Sequence, residues 1–171
     1  YEPANGRYPK MAPGGIAKYL ESRKMRKPNS GTAWWMDMEG PGPYDGPESR
    51  PNSDRCLQGF GSTGGPPMLP TLYNNYKRIV QTPTHVMILI EMVHDARVVR
   101  LNSEHPPQDV RKWMGDSIGW WEGDTLVVDT TNFRDTPGLY FASRDLHVVE
   151  RFKMVDKETL LYQFTVEDPA I

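Results

Sequence analysis

Two runs near the end of the chain constrain its fold most. In "LHVVERFKM", Leu146, Val148, Glu150 and Phe152 alternate with His147, Val149, Arg151 and Lys153. In "TLLYQFTVE", Leu160, Tyr162, Phe164 and Val166 alternate with Leu161, Gln163 and Thr165. A period of two belongs to a β-strand with two distinct faces. Val155-Asp156-Lys157-Glu158 is a turn short enough to join them as a hairpin.

The same signal recurs upstream. "YKRIVQT" reads as a short strand that Thr82-Pro83 breaks. "HVMILIEMV" is apolar on both faces, as a central strand buried on both sides would be. "HDAR" is a tight connection into "VVRL". "SIGWW" and "TLVVDTTNF" flank Glu122-Gly123-Asp124. "NSEHPPQDVRKWM" is a Pro-containing loop with one helical turn at Gln108 to Trp113. About seven regularly spaced strands without a long helix between them predict a mainly β domain over residues 71–171. The expected form is an antiparallel meander, closed or nearly closed into a lipocalin-like barrel; a sandwich is the runner-up.

Residues 1–70 are different. The chain has 15 Gly and 16 Pro, concentrated there, and they forbid long ladders. The stretch reads as an irregular arm with one short helix, about Gly14 to Arg26, ended by Pro28. Trp34, Trp35, Met36, Met38, Phe60, Met68 and Leu69 are poor residues to leave in water. Such an arm packs on its own domain or on a neighbour, and Trp34, Trp35 and Met38 are the candidate contacts for a protein partner or for self-association.

A net charge of −2 supplies no basic field for nucleic acid. No apolar run is long enough for a membrane-spanning helix. The single Cys56 excludes an intrachain disulfide and a cysteine-based zinc finger. Neither G-x-S-x-G nor H-E-x-x-H occurs, and "GFGSTGGPP" lacks the Lys of a P-loop. His85, His94, His105 and His147 have no ligand spacing, so no metal or cofactor is expected. The start at Tyr1 without Met, and an end straight after a strand, lead us to expect both termini to be incomplete.

Four groups of residues are candidate sites. Glu91, His94, Asp95 and Arg97 in "EMVHDAR" place a histidine beside carboxylates, as acid/base chemistry requires. The competing reading is a turn capped by Asp95 and paired by an arginine. Asp116, Glu122, Asp124 and Asp129 supply carboxylates for a hard cation, or else a turn with solvent-facing acids. Trp120 and Trp121 point to opposite faces if extended, so one of them faces a cavity or core. Glu150 becomes an inward carboxylate if Val148 and Phe152 face the core, with Arg97 or Arg100 as cross-strand partner.

The runs "DRCLQGFGSTGGPPMLPTLYNNY", "QTPTHVMILIEMVHDARVVRLN", "RKWMGDSIGWWEGDTLVVDTTNF" and "LHVVERFKMVDKETLLYQFTVEDPAI" resemble a widespread family of exported bacterial proteins that carry no established activity. The resemblance covers roughly residues 50–171. It implies an extracytoplasmic location, periplasmic or secreted, and a chain that continues past Ile171.

Three functions fit these readings. The first is a β-barrel module for a small, partly apolar ligand, contacted by Glu91, Arg97, Trp120, Trp121, Asp129 and Glu150. The second is an accessory or structural subunit docked through its arm. The third is an acid/base enzyme using His94 with Asp95, or Glu150. A cavity below ~300 Å³ argues against the first and third.

Overall fold

The computed structural model describes residues 10–24, 52–53, 55–59, 64–71, 73–135, 137–139 and 142–171. Trp34, Trp35 and Met38 lie outside them. The chain is mainly β with one short helix. Helix α1 spans Pro13–Lys24, and strands β1 to β7 span Lys77–Gln81, His85–Ile90, Ala96–Leu101, Asp116–Glu122, Thr125–Thr131, His147–Met154 and Leu160–Glu167.

The strands form one sheet in sequence order. Every neighbouring pair is antiparallel except β3 and β4, which pair in parallel from Val99↔Ser117 to Leu101↔Gly119. The expected all-antiparallel meander is therefore a mixed sheet. Residues 102–115 supply the long crossover that parallel pairing needs. At Gln108 to Trp113 that segment forms no regular helix but one isolated turn, closed by the Val110 N–H on the Pro107 carbonyl at 2.9 Å, followed by a single bridge, Lys112↔Phe133.

The sheet curls into an open half-barrel. Among the described residues no strand pairs with the outer edge of β1 or of β7, so the expected closure is absent. The curl still brings residues of β1 and β7 around one cavity. The concave face carries the core: Val86, Ile88 and Ile90 of β2, Val99 of β3, Leu126 and Val128 of β5, and Phe152 of β6, with Met92 from the turn after β2. A second cluster of Phe133, Ala142, Leu146 and Val148 closes one end.

Strand β2 is not buried on both sides. Val86, Ile88 and Ile90 are buried, whereas Met87 and Leu89 are half-exposed. It is second from the edge of a one-layer half-barrel, so one face stays near solvent. Residues 64–68 of the arm lie over the core. Gly64, Gly65, Pro66 and Pro67 are buried and Met68 packs on the main cluster. Helix α1 packs by its N-terminus: the Ala12 N–H donates to the Ile171 carbonyl at 2.6 Å, and a Cβ on Gly15 would meet Ile171 Cγ2 at 2.7 Å. Ile16 and Leu20 remain exposed.

Two tight backbone positions explain their residues. Gly123 takes φ +61° at the β4–β5 turn, where an added Cβ would meet nothing. Gly115, at φ +70°, is crowded: its Cβ would sit 2.7 Å from Thr131 O and 2.9 Å from a Phe133 ring carbon. Only Gly satisfies both demands there.

Candidate functional site

Inward parity on β3, β6 and β7 puts Arg97, Glu150 and Tyr162 on the concave face. Arg97 and Glu150 are 3% and 0% exposed. The guanidinium reaches across the interior from β3 to β6. Its Nη1 donates to Glu150 Oε2 in a short contact, and its Nη2 donates to Oε1 at 3.0 Å. The Tyr162 hydroxyl donates to Oε1 at 2.6 Å and accepts the Met68 N–H at 2.9 Å. Arg97 Nε has no partner among the described residues. Burial, then the Glu150 charge and its hydrogen bond, push the Tyr162 pKa well up. Tyr162 is a fixed donor, and Glu150 is fully engaged. The network ties β3, β6, β7 and the arm together and leaves no free acid or base.

Below this network the half-barrel opens into a cavity of about 250 Å³. Its wall is mostly apolar: Ile79, Val86, Ile88, Trp121, Leu126, Phe152, Met154 and Leu160, with Asp124 and Gln81 at the rim. Trp121 faces this mouth and is 44% exposed. Trp120 takes the opposite face and donates its indole N–H to Glu122 Oε1 at 3.1 Å.

The edge of β7 borders the mouth. Val155 N–H donates to the Thr159 carbonyl at 3.0 Å, and pairing runs on to His147↔Glu167. By antiparallel alternation Leu161, Gln163, Thr165 and Glu167 turn their backbone groups to β6, while Leu160, Tyr162, Phe164 and Val166 turn theirs to the free edge. Leu160, Leu161, Phe164 and Val166 are 37–43% exposed.

The convex face carries a second polar system. Asp116, 1% exposed, accepts from Arg100 Nη1 at 2.9 Å and Nη2 at 2.8 Å, and from Lys112 Nζ at 2.6 Å. His105, from the crossover, sets Nδ1 3.0 Å from Asp116 Oδ2 and Nε2 2.8 Å from Asp129 Oδ1. His147 Nε2 lies 2.7 Å from Asp129 Oδ2, and its Nδ1 lies 3.6 Å from Glu167. A neutral imidazole donates from one nitrogen only, so the His105 bridge is complete when both nitrogens carry protons. Burial pushes the Asp116 pKa up; hydrogen bonds from Arg100, Lys112 and His105 outweigh it and hold it at about 2. The chain clamps the crossover onto β4, β5 and β6.

The carboxylates of the β4–β5 region thus divide. Glu122 and Asp124 are exposed turn acids, paired with Arg151 at 2.7 Å and Lys153 at 3.1 Å. Asp116 and Asp129 are not solvent-facing acids, because each is consumed by cations or imidazoles. No group of three His, Cys, Asp or Glu among the described residues is arranged to hold a metal ion.

The "EMVHDAR" residues do not converge. Met92–His94 form a 3-10 turn in which Val93 and His94 take positive φ. His94 is exposed. Asp95 Oδ2 accepts the Gly59 N–H of the arm at 2.7 Å, and burial raises its pKa against that bond. The capped group belongs to the arm, not to the turn. Glu91 is exposed and Arg97 points inward. The His105–Asp129–His147 chain escapes sequence reading because His105 sits in an aperiodic loop. One signal for it exists: Asp129 is a mid-strand acid that would need a donor.

No family model, curated protein or solved structure matches the chain.

Proposed function

We propose that the protein is a docking module, an accessory or structural subunit whose half-barrel takes up an extended segment of a polypeptide partner along β7. The observation that carries this reading is the β7 edge itself. It is eight residues long, has no Pro, and exposes Leu160, Leu161, Phe164 and Val166. Soluble proteins protect such edges with charge, Pro or short length. Strand β1 does so: it has five residues, begins Lys77-Arg78 and is followed by Thr82-Pro83. Strand addition needs a free row of backbone groups flanked by apolar side-chain sites; β7 has the apolar sites, and among the described residues no strand pairs with its outer edge. A guest strand beside β7 would also carry the half-barrel towards the closed barrel expected from the sequence. The resemblance to exported bacterial proteins sets this docking outside the cytoplasm in our reading.

A labelled eight-residue peptide of alternating Val and Thr, N-methylated along one edge to prevent stacking, is the probe. Saturable binding that slows hydrogen exchange at Leu160, Tyr162, Phe164 and Val166 is expected. Absence of binding at millimolar peptide, or protection confined to other strands, would overturn the reading.

The apolar mouth beside Trp121 favours a second reading, a site for a small, partly apolar ligand. Its volume of about 250 Å³ falls below the ~300 Å³ at which small-molecule sites usually begin, so it ranks second. The acid/base reading is weakest: Glu150 is held by Arg97 and Tyr162, and His94 stands apart on an exposed turn.

A further inference from the structure

We propose that His105 is a pH-sensitive latch on the convex face: with both ring nitrogens protonated it holds residues 103–105 of the crossover against the sheet, and with one proton lost it lets them go. The inference is independent of the docking reading, since it concerns the face opposite the cavity.

His105 offers each ring nitrogen to a different carboxylate. Nδ1 lies 3.0 Å from Asp116 Oδ2 on β4, and Nε2 lies 2.8 Å from Asp129 Oδ1 on β5. A neutral ring has one N–H and one lone pair. Whichever nitrogen lost its proton would set that lone pair against a carboxylate oxygen at hydrogen-bond distance, which repels. An imidazole is a stronger base than a carboxylate, so the shared proton stays on the ring. Asp116 in particular remains ionised: against burial, hydrogen bonds from Arg100, Lys112 and His105 hold it at about 2. His147 differs. Its Nε2–H serves Asp129 Oδ2 at 2.7 Å even in the neutral ring, and its Nδ1 stands 3.6 Å from Glu167, too far for a hydrogen bond. His105 therefore needs the second proton and His147 does not.

The surrounding charges come from every element packed here. Arg100 of β3 and Lys112 of the crossover face Asp116, His147 of β6 faces Asp129, Glu167 of β7 faces His147, and the exposed Glu104 adjoins His105 in the chain. With His105 charged, the cations Arg100, Lys112 and His105 offset Asp116, Asp129 and Glu167. With it neutral, one of those carboxylates loses its counter-charge. The later part of the crossover has fastenings that carry no titrating group. Asn132 Nδ2 donates to the Pro106, Pro107 and Val110 carbonyls at 3.1, 3.2 and 3.3 Å, and the Lys112 N–H donates to the Asn132 carbonyl at 3.0 Å. Residues 103–105 are held otherwise, by His105 and by Arg100, which reaches Ser103 Oγ at 3.3 Å and the Glu104 carbonyl at 2.8 Å. Release is confined to them and uncovers Asp129, which is 19% exposed while the latch is shut. The sign follows from linkage: the hold is present while the ring is charged and is lost as pH rises and the proton leaves.

Long-range proton–nitrogen NMR spectra of the imidazole rings, taken on the 171-residue chain from pH 5 to pH 9, read that proton directly. At pH 5 both His105 nitrogens should show the imidazolium pattern. As it disappears, protection of the Asn102 amide, which donates to the Gly119 carbonyl at 2.8 Å beside the latch, should fall about tenfold beyond the rise in base-catalysed exchange. The Lys112 amide should change less than about twofold. His105→Gln cannot become charged, so Asn102 should exchange fast at every pH, whereas His147→Gln should keep the response. A single neutral tautomer of His105 at pH 5 would overturn the doubly protonated bridge. Deprotonation of His105 with Asn102 protection unchanged would overturn the latch. A response that survives in His105→Gln, or vanishes in His147→Gln, would overturn the assignment to His105.

Discussion

Glu150→Ala is the substitution that presses hardest on the interior. It removes the carboxylate paired with Arg97, whose side chain is 3% exposed. Two guanidinium hydrogen bonds and the Tyr162 hydrogen bond lose their acceptor at once. Breaking a buried ion pair from one side costs about 3–5 kcal/mol, because the surviving charge is stranded away from water. The Tyr162 hydroxyl adds roughly 1 kcal/mol as an unsatisfied donor. A domain of this size has about 5–15 kcal/mol in total, so the variant should sit near its unfolding threshold. Urea denaturation followed by Trp fluorescence measures it. Glu150→Gln, which keeps the shape and one acceptor oxygen, guards against a variant that fails to fold and should lose about 2–3 kcal/mol. Arg97→Met with Glu150→Leu should return to within about 1 kcal/mol of the parent, since an apolar pair of similar volume needs no desolvation. A loss below about 1 kcal/mol for Glu150→Ala, or a double variant as unstable as Glu150→Ala, would refute the reasoning.

Three further outcomes are expected. The Asp116 pKa lies at about 2, below its ordinary value of 3.8; the stability it contributes is therefore present above about pH 4 and lost as pH falls through 2. The full shift corresponds to about 2.5 kcal/mol, reduced to roughly 1–2 by solvent around Lys112 and Arg100; acid titration of unfolding checks it, and Asp116→Asn should flatten that limb. His105→Ala should leave Asp116 and Asp129 without their bridge, cost about 1–3 kcal/mol and raise hydrogen exchange across residues 102–113 more than in β6. Gly115→Ala should cost more than about 2 kcal/mol, from positive φ and overpacking together, whereas Gly123→Ala, with nothing near its Cβ, should cost about 1; thermal melts separate the two.

Alternation made much of the fold legible. It assigned the faces of β6 and β7, set Glu150 inward, and split Trp120 from Trp121. It could not give the direction of pairing, because a strand has the same period whether its neighbour runs parallel or antiparallel. Hence the crossover between β3 and β4 read as a loop in a meander. Closure was invisible for a related reason: it depends on sheet curvature and on what meets the two edges. Period two also placed Asp129 on the face opposite Leu126 and Val128. Its partners could not follow, since His105 arrives from an irregular loop and His147 meets it only once β5 and β6 are in register.

The central claim is that β7 presents a free edge, and amide hydrogen exchange measures that edge directly. At a dilution where light scattering shows a monomer, the Tyr162, Phe164 and Val166 amides should exchange fast and the Gln163 and Thr165 amides slowly, an alternation along one strand. Uniform protection of all five in the dilute monomer would mean that β7 is already paired, and would contradict the account.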